Sequence, residues 1–226
     1  MHYNYSYCNG HIMQKFGLNS NYGIFIAIGI MILYGFWNSQ SSIFALIKDI
    51  NNNKANVIIK YCIENDLIFI KKIISFSIQY FIITFALLLF IKIIFWNSIL
   101  FSIYLLSKFI IFVFLELSLW GAFILFLSSI FKVNRSYDLM WSLIFCPIES
   151  FGGLNFSWLT MNKVFPIFSY INLLNPMIYV MEGIRGILIK TEWFIPLYIC
   201  CIAIIFFTLL LGYIGIYRLK KFLDLI

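Results

Sequence analysis

The sequence predicts an all-α, polytopic membrane protein, and three observations carry the prediction. Charged residues make up only 11% of the 226-residue chain, less than half of the roughly one quarter that soluble domains use. The apolar residues fall in long charge-free runs, Phe16–Ile47, Ile73–Ile91, Leu117–Phe131 and Trp193–Tyr217; about 20 apolar residues suffice to cross the hydrocarbon core. These runs lack the short alternating pattern of a membrane β-barrel. Backbone in lipid must then satisfy its own hydrogen bonds, which makes the runs helices.

Five crossings and one partial dip follow in order. The first is about Tyr22–Leu46 and the second about Lys72–Ile91. The third is about Leu105–Phe131, preceded by an interfacial stretch around Trp96–Tyr104. The fourth is short, about Tyr137–Gly153, and the last is about Trp193–Tyr217. The segment from about 152 to 175 holds two glycines, Trp158, Pro166 and several polar residues. It is too polar for a span and too apolar for a free loop, which fits a re-entrant or interfacial element before the last helix. Asn175 is a good N-cap and Pro176 suits the first helical position. A helix from Pro176 to about Leu188 places Glu182 and Arg185 three apart on one face. Such a polar cluster beside a bilayer is costly, and therefore marks a functional element.

The basic residues fix the expected orientation. Lys48, Lys54, Lys60, Lys71 and Lys72 lie between the first two crossings, Lys132 and Arg135 after the third, and Arg218, Lys220 and Lys221 in the tail. The positive-inside rule puts these segments in the cytoplasm. The chain is expected in the cell (inner) membrane with its N-terminus outside and C-terminus cytoplasmic. Residues 1–21, with Tyr3, Tyr5, Tyr7 and both histidines, form an extracytoplasmic segment; they lack the basic and apolar regions of a signal peptide. Residues 22–226 form the transmembrane domain.

The net charge of +7 follows this topology, and no basic face interleaved with exposed aromatics points to nucleic acid. Cys8, Cys62, Cys146, Cys200 and Cys201 show neither a disulfide framework nor zinc-ligand spacing. His2 and His11 lie outside every crossing, and no phosphate-binding Gly-x-x-x-x-Gly-Lys-Ser/Thr occurs. No metal or cofactor site and no catalytic residue is expected, so the chain is not read as an enzyme.

With these elements in place, the chain resembles the type 2 ABC-transporter permeases, the membrane subunits of ATP-driven exporters. The resemblance rests on Asn175, Pro176, Tyr179, Glu182, Gly183 and Arg185, which match Asn-Pro-x-x-Tyr-x-x-Glu-Gly-x-Arg ahead of a last helix. Upstream, Pro147, Gly152, Gly153, Trp158 and Leu159 resemble the family's Pro…Gly…Pro-Trp-x-x-Leu segment, with Ser157 in place of the second proline. It covers about residues 23–217. The Gly-Thr and Pro of the family's cytoplasmic loop are absent from Lys48–Lys72. The family has six helices, so the resemblance implies that this chain lacks the first. It also implies an amphiphilic substrate (lipid, drug or lipid-linked glycan), a second permease subunit, the same or different, and ATP bound by a separate ABC ATPase subunit.

Individual residues carry more than one reading. Lys54, Ile58, Ile59, Lys60, Ile63 and Glu64 belong to an amphipathic stretch about 48–72, which either lies on anionic membrane lipid or docks the ATPase; the resemblance favours docking. Trp158 and the Asn175–Arg185 motif are candidates for the re-entrant exit element. Glu182 and Arg185 either gate that exit, anchor the re-entrant element, or form a structural ion pair that fixes the helix at the interface; the residues by themselves favour the pair. Glu116 is an intramembrane charge, either contacting substrate or protons, or paired across helices with Lys92 or Lys108. Asn38, Ser39, Gln40, Ser41 and Ser42 are read as interhelical hydrogen-bonding residues, part of the run facing a second subunit. Rival readings are a lipid-modifying membrane enzyme using Glu149 and Glu182, a non-functional permease fragment, and a secondary transporter, which would show an internal repeat that is not detected.

Overall fold

The computed structural model describes residues 22–51, 67–95, 102–130, 137–189 and 195–223. The docking residues Lys54, Ile58, Ile59, Lys60, Ile63 and Glu64, the segment 1–21 and most of the stretch Trp96–Tyr104 lie outside the described residues. Among the described residues all regular structure is helical. In order these are α1 (Tyr22–Asn51), α2 (Leu67–Ile94), α3 (Ile103–Ile130), α4 (Tyr137–Met140), a π-helical stretch (Trp141–Phe145), α5 (Cys146–Phe151), α6 (Trp158–Val164), α7 (Pro166–Asn172), α8 (Pro176–Leu188) and α9 (Leu197–Leu223). Three spans, Tyr22–Ala45, Ile103–Ile130 and Leu197–Arg218, are long and apolar enough to cross a bilayer; Ile78–Ile94 and Trp141–Phe151 are shorter apolar helices. The chain is thus a helical membrane protein.

Helix ends depart from the apolar runs in an instructive way. α1 continues past Leu46 to Asn51, and α2 begins at Leu67 rather than Lys72. Hydropathy marks where the hydrocarbon ends, whereas a helix continues into water until its backbone finds a stop. At the other extreme α9 starts at Leu197 rather than Trp193, because Pro196 lacks an N–H and is tolerated only at a helix start. The π-helical stretch precedes Pro147. In an α-helix the ring of Pro147 would press on the Leu143 carbonyl; widening the turn relieves that clash.

Packing sets the direction of each helix. A Cβ on Gly23 would lie 3.5 Å from Phe95, and Tyr34 faces Tyr80 at 6.4 Å between ring centres, so α1 and α2 are antiparallel. α4 and α5 also run against α1: Phe44 meets Phe145 at 6.2 Å, the Trp37 indole reaches Glu149, and Gly29 lies against Leu154. α9 runs parallel to α3, with Gly212 over Ala122 and Gly215 over Phe126. The core is apolar and aromatic. Phe25, Ile28, Ile32, Phe36 and Ile43 form the buried stripe of α1, at helical spacing. Phe36 packs on Trp120 at 5.0 Å and edge-on to Phe145 at 5.9 Å. The ends where α1, α3 and α9 begin and α5 stops are gathered on one side, and there the polar motif lies.

Candidate functional site

α5 stops at Phe151, and the chain breaks inside the bundle. Gly153 has φ +89°, a left-handed conformation that favours glycine. Gly152 admits the backbone close to Met177; a Cβ there would lie 2.5 Å from the Met177 side chain. The break exposes carbonyls at the end of α5 and N–H groups at the start of α6. Buried away from water, each needs a partner.

Glu182 and Arg185, both fully buried, supply those partners from α8. The Arg185 guanidinium donates to the carbonyls of Gly153, Leu154 (2.9 Å) and Phe25 (3.2 Å), and lies 3.4 Å above the Phe25 ring centre. Glu182 accepts from the Trp158 backbone N–H at 2.7 Å and from the Ile195 N–H at 3.4 Å. The cation therefore serves the carbonyl end that follows α5. The carboxylate serves the N–H groups where α6 starts and where the chain enters α9. Each charge meets backbone groups of opposite partial charge. Gly29 makes the room: a Cβ there would sit 2.6 Å from the guanidinium. The ion pair favoured from the sequence is not what forms. Glu182 and Arg185 share a helix face, but each engages backbone groups on other elements, since a single carboxylate would leave the break unsatisfied.

The rest of the motif completes the same unit. Asn175 caps α8, its side chain accepting from Met177 N–H at 3.0 Å, and its amide donates to Ile148 O at 2.9 Å. Pro176 occupies the first turn. The Tyr179 hydroxyl donates to Leu173 O at 2.9 Å, and its ring meets Phe207 of α9 at 6.2 Å. Gly183 lets α8 approach α3; a Cβ there would collide with the Phe112 ring at 2.1 Å. The Trp158 indole N–H donates to Ser169 O at 3.0 Å, tying α6 to α7. All seven motif residues named from the sequence are thus brought into one hub. Sequence reasoning missed Phe25, Gly29, Asn172 (whose amide donates to Phe151 O at 2.6 Å) and Ile195. Ile195 acts through its N–H and Phe25 through its carbonyl as well as its ring; backbone partners leave no signature in residue type.

Glu116 is buried in α3, and Trp120 Nε1, one turn along the same helix, donates to it at 3.3 Å. A Cβ on Gly35 would lie 3.3 Å from its carboxylate. The expected lysine partner across helices is not what it meets, and the Lys108 ammonium lies 4.2 Å above the Tyr104 ring. The polar run on α1 also departs from expectation. Ser39 and Ser41 donate to Phe36 O and Asn38 O within their own helix, as serine hydroxyls in helices commonly do. The bond that does cross from this region runs from Trp37 Nε1 to Glu149, at 3.1 Å. Glu149 and Glu182 are thus engaged by different partners, one on α1 and one at the start of α6. Among the described residues no group of His, Cys, Asp and Glu could hold a metal ion.

No family model, curated protein or solved structure matches the chain.

Proposed function

We propose that the chain is the membrane subunit of an ATP-driven ABC exporter that moves an amphiphilic substrate. The observation that carries this reading is the order and construction of the hub. A short crossing stops inside the bundle, a helical hairpin follows, and an Asn-Pro-capped helix fastens that hairpin before the last span. Those features are what the resemblance to type 2 permeases implies for residues 152–217, and the residues of the resemblance are the ones that build the hub. In this reading α1, α2, α3, the composite α4–α5 helix and α9 make five crossings, with residues 152–175 re-entrant from the outer side. The N-terminus is outside and the C-terminus cytoplasmic. The basic segment about 48–72 docks a separate ATPase subunit, which binds the ATP.

A second permease subunit is part of the proposal. Among the described residues, most exposed side chains on α2, α3 and α9 are apolar. The flank of α1 and α4–α5 instead exposes Ser41, Ser142, Cys146 and Ser150 beside the Trp37–Glu149 bond. These small side chains bond within their own helices or to one another, and small polar residues of this kind let a second helix approach closely. Exchange of ATP-bound and ATP-free partners would act by favouring one permease state over another through a difference in binding free energy.

Co-purification tests the reading. The tagged chain, gently solubilised from its host, is expected to bring a stoichiometric ATPase. Ile59→Asp and Ile63→Asp are expected to release that ATPase while the chain remains in the membrane. A stable chain that brings no ATPase refutes the exporter reading.

A further inference from the structure

The α6–α7 hairpin is built inside out. Apart from the exposed Lys163 and Tyr170, its polar side chains point inward and bond to one another or to neighbouring backbone: Ser157 to Thr160 at 2.9 Å, Ser169 to Asn162 at 2.8 Å, and Asn172 to Phe151 O. Its apolar side chains point outward. Ile167 is 79% exposed, Ile171 58% and Leu174 76%, with Phe165 and Tyr170 also exposed. From Val164 to Leu174 the only polar side chains, Ser169, Tyr170 and Asn172, comprise two buried groups and one tyrosine. In water this arrangement would expose a large apolar patch without a covering partner. In hydrocarbon it is the expected arrangement, because there polar groups must be satisfied internally.

Depth supports the same conclusion. Exposed Tyr198 and Tyr217 on α9 are about 28 Å apart along the helix, close to the roughly 30 Å hydrocarbon thickness and in the positions of interfacial aromatic belts. Tyr179, whose hydroxyl holds the Leu173 carbonyl, packs on Phe207, about 13 Å along α9 from the Tyr198 level. The foot of α7 is thereby tied to a level beyond Tyr198 along α9, on the side of that aromatic toward Tyr217.

We infer that the outward face of α7, from Ile167 to Leu174, is a contact surface for the acyl chains of the leaflet on the side where α1, α3 and α9 begin. It is not the wall of an aqueous vestibule. The inference rests on the re-entrant membrane placement proposed above and is independent of the ATPase.

Spin labels placed at Ile167, Ile171 or Leu174, in a variant whose native cysteines are replaced by serine, test it in phosphatidylcholine vesicles. At Ile171 and Leu174, oxygen is expected to collide with the label several-fold more effectively than a water-soluble nickel chelate, with Ile167 shallower. Strong nickel access at Ile171 and Leu174 overturns the inference, as does shielding from both reagents. A label at Leu209, on the exposed face of α9, separates the two levels of the argument. Nickel access there as well would show that the membrane placement itself fails. With all native cysteines retained, a benzophenone amino acid at Phe168 or Ile171 gives a second reading. Phospholipid adducts are expected on illumination, and adducts only to protein or water contradict lipid contact.

Discussion

The hub around α8 and the seam between α3 and α9 sit in one bundle but answer to different physics. In the hub, Glu182 and Arg185 hold backbone groups from α1, from both sides of the 152–157 break and from the entrance to α9. In the seam, Gly212 and Gly215 bring α9 against α3 so closely that a Cβ on Gly215 would lie 2.8 Å from the Phe126 nitrogen. The hub is specified by donors and acceptors, the seam by volume. Away from the close approaches at Gly29, Gly152 and Gly183, hub positions should therefore tolerate changes of size that keep their hydrogen bonds, while the seam should tolerate changes of polarity that keep its small size.

Arg185→Met is the severest expected break. It keeps much of the volume but leaves the Gly153, Leu154 and Phe25 carbonyls buried without their donor. A loss of about 3–5 kcal/mol is expected, read as a fall in the thermal midpoint of the detergent-solubilised protein. Gly215→Ala comes next at about 1–3 kcal/mol, because the added methyl meets backbone that cannot swing aside. Gly212→Ala sharpens the comparison: its Cβ would lie 3.7 Å from the Ala122 Cβ, an ordinary contact, and the same assay should move by less than about 0.5 kcal/mol. Trp37→Phe, which removes the half-exposed bond to Glu149 on the polar flank, should cost about 0.5–1.5 kcal/mol. An Arg185→Met variant as stable as the parent, or a Gly212→Ala variant as damaged as Gly215→Ala, would undo the distinction.

What the sequence made legible follows the same division. α8 was readable from Pro176 to Leu188 because its start is written locally: Asn175 accepts from its own helix, and Pro176 needs no partner. The long helices were readable because hydrocarbon demands continuous apolar runs, although Asn51, Leu67 and Leu197 show that such runs do not set helix ends. The partners of Glu182 and Arg185 were not readable. Three-residue spacing on a helix advertises an ion pair, while the groups that engage them are main-chain atoms distant in sequence, including Phe25. The widened turn before Pro147 was equally hidden, since a proline in an apolar run reads as a kink or a helix stop as readily as a π-helical turn. Ser39 and Ser41 show the remaining ambiguity: their residue type does not say whether a hydroxyl reaches across to a neighbour or back along its own helix.

A double-mutant cycle on Glu182→Gln and Arg185→Met tests most directly whether the hub works by fastening the break. Thermal stability would be measured for both single variants and for the double variant under one set of conditions. If each charge holds its own backbone partners, Glu182→Gln alone costs about 1–3 kcal/mol, and the double variant is less stable than either single one. If the two residues instead act chiefly as an ion pair, the second substitution removes an orphaned charge and restores stability toward or above that of the weaker single variant. That recovery would contradict the account.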